Sequence, residues 1–355
     1  MIRIHNEFIG GNCQFIKRVG DDIYIRNELR DTIDDWFYWA FCIEGAAGQT
    51  LTFHLGRKRI GYWGPAVSHD RRTWRWLGTG IGGDTFTYQF GGDENCVYFS
   101  HHMLYDPARF YDLAERHGLA VGELCKSPKG RSVPYVTIGD GDRMILLTAC
   151  HHACESTGSY VLEGTIDILL TNPIPNTRII CVPFVDYDGV LDGDQGKGRV
   201  PHDHNRDYID EPIYPEVRAI CGLVEKYGCH FGVDFHSPGH LGKQNDTIFV
   251  VRNTVEKNDR YDHFADILAA AITKDSMDYK KENDYPPCTD WNQPSSNCAY
   301  TINCRPECNL AFSLESTYFG TPENIVSADR LIALGHCFSE AIREYLAVAI
   351  EEAGK

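Results

Sequence analysis

Hydrophobic and polar positions change rhythm about a third of the way along this chain. In the first hundred residues the apolar runs are short, at 37–43, 49–55 and 85–90, and glycine-rich breaks separate them with no convincing long helix. That pattern predicts short antiparallel strands, and a small β-sandwich is the economical way to bury them. Asp106-Pro107 then reads as a helix N-cap followed by a first-turn proline, opening a helix through about His117. From Val133 onward, strand-like runs at 135–138, 143–150, 178–185, 230–235, 246–251 and 309–314 alternate with helix-like ones at 156–170, 215–227 and near 263–273. A last helix is expected to start through Thr321-Pro322-Glu323 and end near Glu352. Such alternation implies an α/β domain whose mixed, mostly parallel sheet is flanked by helices. The expected division is a β-sandwich over 1–103 and an α/β domain over 104–355.

Composition narrows the partners. A chain of 355 residues can bury enough apolar surface to fold without staples. Its net charge of −16 sets it against nucleic acid and anionic membrane, which would repel it. No apolar run approaches the ~20 residues that span a bilayer, and Met1-Ile2-Arg3-Ile4-His5 has no secretory pattern, so a soluble cytoplasmic protein is expected. The 14 cysteines fit that compartment, because residues such as Cys42, Cys150, Cys181 and Cys221 lie singly in apolar runs, as reduced buried thiols do. Cys288, Cys298, Cys304 and Cys308 lie closer together, but they lack the short C-x-x-C spacing of a zinc knuckle. Five of the six tryptophans, Trp36, Trp39, Trp63, Trp74 and Trp76, fall in the first domain. They read as core or domain-interface packing before they read as a sugar-binding face.

The candidate chemistry gathers at strand ends. His152 and Glu155 stand three apart at the turn from the run at 143–150 into the helix at 156–170, where one imidazole and one carboxylate can face the same ion. Two such ligands leave a zinc shell incomplete and call for a third ligand, with a position left open for water. The run at 230–235 ends in His236-Ser237, and the run at 309–314 ends in Glu315. In open sheets flanked by helices, sites form beyond the carboxyl ends of the strands, so three strand ends deliver His152, Glu155, His236 and Glu315 to one place. His151 is set aside because adjacent side chains do not face one point in regular structure. His202 and His204 are read as hydrogen-bonded bystanders.

With these marks in order, the sequence resembles the zinc metallocarboxypeptidases, and within them the cytosolic carboxypeptidase branch. The motif of histidine, two residues and glutamate is His152-Ala153-Cys154-Glu155, and the proline-aspartate-glycine turn appears altered as Asp186-Tyr187-Asp188-Gly189. The D-x-N-R segment is Asp203-His204-Asn205-Arg206, the His-Ser pair is His236-Ser237, and the late glutamate is Glu315. Trp36-Phe37-Tyr38-Trp39 matches a run in the sandwich domain that this branch places first. The resemblance implies one Zn²⁺ held by His152, Glu155 and His236, with Glu315 as general base and acid. It implies that Asp203 orients a ligand histidine from behind and that Asn205 and Arg206 anchor the substrate's terminal carboxylate, with Ser237 beside them.

The family's oxyanion arginine aligns at or next to Gly196, so the resemblance leaves Lys197 or Arg199 to supply that charge. The branch's preference for C-terminal acidic residues implies a basic pocket, for which Arg305 is the nearest candidate. Ser237-Pro238 is expected to be cis, after the unusual bond that family members often hold there. The expected activity is hydrolysis of the C-terminal peptide bond of a peptide or protein. Two alternatives stand beside it: an amidohydrolase acting on a small acyl-amino acid or cell-wall peptide, and a noncatalytic glycan- or peptide-binding protein.

Overall fold

The change of rhythm near residue 100 is a change of architecture in the computed structural model, which describes residues 1–57, 59–78, 83–293 and 295–353. The first domain contains β1 (Arg3–His5), β2 (Gln14–Val19), β3 (Asp22–Arg26), β4 (Ala40–Glu44), β5 (Thr50–His54), β6 (Ala66–Ser68), β7 (Arg75–Trp76), β8 (Thr85–Gln89) and β9 (Cys96–Ser100). They form a five-stranded sheet, β1-β4-β9-β6-β7, and a four-stranded one, β2-β3-β5-β8. The pairs are antiparallel except β3 with β5. Alternation fills the space between the sheets: β8 turns Phe86 and Tyr88 inward and Thr87 and Gln89 outward. Trp39, Phe41, Phe53, Phe86 and Phe99 form the heart of this sandwich core.

The other face of the five-stranded sheet belongs to the second domain, whose large core takes in Tyr38, Ala40, Ala66 and Trp74. Phe37, expected in a strand, lies before β4 and packs with Trp63, Tyr318 and Phe319 at the junction. Trp63 and Trp76 donate their indole N–H groups across it, to the carbonyls of Phe319 and Val326, each at 2.8 Å. The tryptophans thus serve core and junction, as expected.

The second domain contains α1 (Pro107–Arg116), β10 (Gly122–Lys126), β11 (Ser132–Ile138), β12 (Arg143–Ala149), α2 (Ser156–Thr171), β13 (Thr177–Val182), α3 (Tyr187–Asp192), α4 (Pro215–Tyr227), β14 (Phe231–His236), β15 (Phe249–Val251), α5 (Asn258–Ala271), α6 (Cys298–Asn303), β16 (Leu310–Glu315), β17 (Gly320–Thr321), β18 (Asn324–Ile325) and α7 (Ala328–Ala353). The seven-stranded sheet runs β10-β11-β13-β12-β14-β16-β15. Its four central strands are parallel and the flanking ones antiparallel. Both faces are covered, which is why β12 and β14 read as largely apolar runs. Ile145 and Leu147 face the core that holds α2 and α7, while Met144 and Leu146 face the one under α4. Glycine lets α2 and α7 touch: a Cβ on Gly164 would meet the Ile332 carbonyl oxygen at 2.1 Å, and one on Gly335 the Val161 oxygen at 2.2 Å.

Three expectations need correction. Pro322 lies in the turn of the β17–β18 hairpin, a place proline suits as well as a first helical turn. The last helix begins at Ala328, where the Ser327 hydroxyl accepts from the Arg330 N–H at 3.3 Å. The first half of the strand expected at 246–251 is the end of a 3₁₀ turn over Lys243–Asp246 and its exit, and Phe249–Val251 pairs in the sheet. The cis bond among the described residues is Val200-Pro201, not Ser237-Pro238. Ser237 is held there by hydrogen bonds, its N–H to Glu155 Oε2 at 3.2 Å and its Oγ 2.5 Å from Thr157 Oγ1. Among the described residues, no helix is long and apolar enough to cross a membrane.

Candidate active site

The chain leaves β12 through Cys150, whose left-handed φ of 55° reverses it into His151 and His152 before Glu155 caps α2. The two histidines diverge at this turn. His151 goes beneath the site, with Nδ1 2.7 Å from Asp234 Oδ1 and Nε2 2.8 Å from the Tyr208 hydroxyl. His152 faces the cleft, with Nδ1 3.0 Å from Glu155 Oε1 and Nε2 3.5 Å from Asp203 Oδ1. His236 closes the group from the end of β14, with Nδ1 2.6 Å from Glu155 Oε2. One donor atom from each of His152, Glu155 and His236 lies within 4.8 Å of the others. Glu315 ends β16 in direct register with His236, so the parallel pairing itself sets the fourth group beside the other three.

Each imidazole that faces the cleft has a carboxylate on its far nitrogen: Asp203 for His152, and Asp234, at 2.6 Å, for His236. Burial opposes charge on His236, yet Asp234 and Glu155 outweigh it and hold the imidazole well above its ordinary value. Burial also opposes charge on Lys197, and Glu155 and Glu315 outweigh it in turn. Its Nζ lies 2.6 Å from Glu155 Oε1 and 5.1 Å from the centre of the Trp36 ring. At Glu315, burial and then the Glu155 charge push the carboxyl up, against the pull of His236 and Lys197. Its Oε2 is buried without a hydrogen-bond partner.

Not every expected residue joins this group. Lys197 does, but Arg199 is enclosed by aspartates, with Nε 3.1 Å from Asp31 and Nη2 2.7 Å from Asp186 and 3.2 Å from Asp194. Arg305 pairs with Glu307 at 3.2 Å and does not line the cleft, so the expected basic pocket is not built from it. Ser237 offers the site its backbone N–H, while its side chain is buried behind. Asn205 is buried with Nδ2 3.1 Å from His236 Nε2, and its Oδ1 accepts from the Cys298 N–H at 3.0 Å. Arg206 lines the cleft with an exposed side chain. Close packing keeps residue 196, at or next to which the resemblance aligned an arginine, a glycine. Gly196 has φ 81°, and a Cβ there would fall 2.1 Å from the Ala153 backbone nitrogen, so no side chain fits and the cation stands one residue later.

Some residues were not anticipated. Asp234 holds His151 and His236 together; its place two before His236 on one strand face was the available signal. Asp34 and Trp36 bring the first domain into the cleft wall, and Tyr285 and Trp291, stacked at 4.7 Å, line another part of it. The cleft measures about 840 Å³. His151, Asp234 and Cys298 also come within donor distance of one another. Both His151 nitrogens are engaged, and neither His151 nor Cys298 lines the cleft, so this trio is the layer supporting the site. No three of Cys288, Cys298, Cys304 and Cys308 gather as metal donors among the described residues. Two imidazoles backed by carboxylates and a buried glutamate form a donor set that suits zinc.

Comparison with known proteins agrees with this architecture. The family model for the cytosolic carboxypeptidase N-terminal domain matches residues 4–102. An uncharacterised protein of Zymomonas mobilis is 26% identical over 257 residues, covering 66% of this chain and 67% of that protein. Cytosolic carboxypeptidase 2 of Xenopus tropicalis is 23% identical over 69% of this chain, and the match spans 31% of its own length. Among solved structures, a metallo-carboxypeptidase from Burkholderia cenocepacia superposes with a TM-score of 0.81 at 18% identity, covering 98% of this chain and 99% of that one. One from Pseudomonas aeruginosa does so with a TM-score of 0.76 at 19% identity, covering 97% and 99%. The fold is that of the metallo-carboxypeptidases, and the sequence is similar to cytosolic carboxypeptidases over about two thirds of this chain. Its first domain matches the cytosolic carboxypeptidase N-terminal domain, and the chain spans about a third or less of the cytosolic carboxypeptidases it matches.

Proposed function

We propose that this protein is a zinc-dependent carboxypeptidase that hydrolyses the C-terminal peptide bond of peptides or proteins. The observation that carries this reading is the meeting of His152, Glu155 and His236 donors within 4.8 Å, with Glu315 in register beside them. Zinc bound by these three would polarise the scissile carbonyl and acidify a water molecule. Glu315, lifted by burial and left with a free Oε2, takes the water's proton and returns it to the leaving amine. Lys197 places a positive charge where the carbonyl oxygen becomes negative. Arg206 pairs with the substrate's terminal carboxylate, for which a planar guanidinium is suited, beside Asn205. Asp203 and Asp234 fix which nitrogen each histidine turns to the cleft. All 14 cysteines are free, which supports a reducing, cytoplasmic setting.

Glu315→Gln should abolish hydrolysis while zinc content, measured by mass spectrometry, stays at that of the parent. Retained hydrolysis would overturn the role of Glu315. Peptides with free and amidated C-termini, tested beside acylated amino acids, separate the exopeptidase from an amidohydrolase, because only the exopeptidase requires the free carboxylate.

A further inference from the structure

Past Asn205 and Arg206, the described residues that line the cleft are mostly uncharged, and the further cation there besides Lys197 is the solvent-exposed Lys243. Ser313 lies two residues before Glu315 on the same face of β16, and Val251 of β15 is its partner in register. Asn253 follows Val251 by two, and Ser295 and Asn297 come in from the loop before α6; all five line the same opening as His236 and Glu315. Asn253 Nδ2 donates to the Ala311 carbonyl at 3.3 Å, and Asn297 Oδ1 accepts from the Tyr300 N–H at 2.8 Å. Asn253 Oδ1 and the Ser313 hydroxyl have no protein partner among the described residues and remain available to a ligand.

The nearby basic side chains are engaged elsewhere. Arg252 pairs with Asp262 and Asp284, Lys257 donates to Asn303 and to the Cys308 carbonyl, and Arg305 pairs with Glu307. Of the cations that do line the cleft, Lys197 is on Glu155, Arg206 serves the terminal carboxylate, and Lys243 is solvent-exposed. Asp203 and Asp290 add negative charge to the same walls.

We propose that this part of the cleft receives the side chain of the C-terminal residue and selects an uncharged polar one, of the glutamine, asparagine, serine or threonine kind, over glutamate or aspartate. The proposal rests on the carboxypeptidase reading above. A side-chain amide donates to Asn253 Oδ1 and accepts from the Ser313 hydroxyl. A carboxylate there would face an acceptor and lose its water without gaining a counter-charge.

The test compares kcat/KM for N-acylated dipeptides with free carboxylates that end in glutamine, asparagine, glutamate or aspartate. Amide-ending substrates should lead by on the order of 100-fold, as when a polar pocket is left mismatched. Equal or reversed values overturn the proposal. Asn253→Lys and, at a less buried position, Ser295→Arg should each move the ratio toward glutamate, whereas Lys243→Ala should leave it unchanged. A ratio unmoved by both added charges, or collapsed by Lys243→Ala, counts against the pocket. Calorimetric titration with free glutamine and free glutamate reads the pocket without turnover. Tighter glutamine binding with no peptide cleaved would uphold the pocket and sink the peptidase, and tighter glutamate binding would sink the pocket whatever is cleaved.

Discussion

Asp194→Asn should stabilise this protein at neutral pH, although it removes one partner of a buried ion cluster. Asp194, Asp31 and Asp186 share the single guanidinium of Arg199. Burial first, and then the charges of Asp31 and Asp186, push the Asp194 carboxyl up from 3.8 to about 6, with Arg199 only partly opposing them. Because the folded value exceeds the unfolded one, the folded state binds more protons between these limits, and stability falls as pH rises through that window. Above it, keeping Asp194 ionised costs the folded state roughly 3 kcal/mol. Asparagine has nearly the same shape, and its carbonyl can still accept from Arg199. The expected gain is therefore about 2–3 kcal/mol at pH 7.5, shrinking to about zero near pH 4. Urea unfolding of parent and variant at the two pH values, followed by circular dichroism and tryptophan fluorescence, measures the difference. A variant less stable than its parent at pH 7.5 would show that Arg199 needs all three carboxylates and that the argument is wrong.

The opposite change, Arg199→Met, leaves the buried Asp186 and the partly buried Asp31 and Asp194 without this cation and should cost about 3–5 kcal/mol; an unaltered urea midpoint would refute the cage. Phe319→Ala empties the junction between the domains and should cost about 3–5 kcal/mol in the same assay. Zinc added to chelator-treated protein should raise the thermal midpoint, by the equivalent of about 2.7 kcal/mol at a hundredfold excess over Kd. That rise should vanish in His152→Ala, and an equal rise there would place the zinc elsewhere. Moving the cation back by one residue, in the double variant G196R/K197G, should not restore activity lost in Lys197→Gly and should cost roughly 1–3 kcal/mol of backbone strain besides. Recovery of hydrolysis in the double variant would mean that the loop can yield at residue 196.

The parts of this structure that could be read from residues alone are those set by short-range rules. Parallel strands buried on both faces announce themselves as apolar runs, and their carboxyl ends carry His236 and Glu315 into register because adjacent parallel strands in α/β folds end together. Asp106-Pro107 and Pro215 opened helices as expected, since an N-cap or first-turn proline acts locally. Pro322 misled because proline serves a hairpin turn as readily, and what decides is the pairing of β17 with β18. The two arginines failed for a longer-range reason. Whether Arg199 meets a substrate or Asp31 depends on contacts across 168 residues of chain, and no spacing rule reports these. Asp234 lies within reach of an alternation argument, but a single polar residue inside the run at 230–235 reads as part of a buried strand.

The first domain enters the chemistry through one loop. Gln195 accepts from the Tyr38 N–H and donates to the carbonyls of Glu28 and Tyr38, each at 2.9 Å, and Asn12 donates to the Gly193 carbonyl at 2.7 Å. Asp31 accepts from the N–H groups of Gln195 and Gly196 at 2.9 and 2.8 Å. These bonds fix a segment whose other side presses on the turn bearing His152, so closely that residue 196 can only be glycine. Lys197 is then carried to Glu155 by backbone held from both domains, and Trp36 lies against its ammonium from the sandwich side. A lysine on a flexible four-carbon stem does not hold a position as a guanidinium fork does. The sandwich supplies the rigidity that the side chain lacks, which ties the position of this cation to the presence of the first domain.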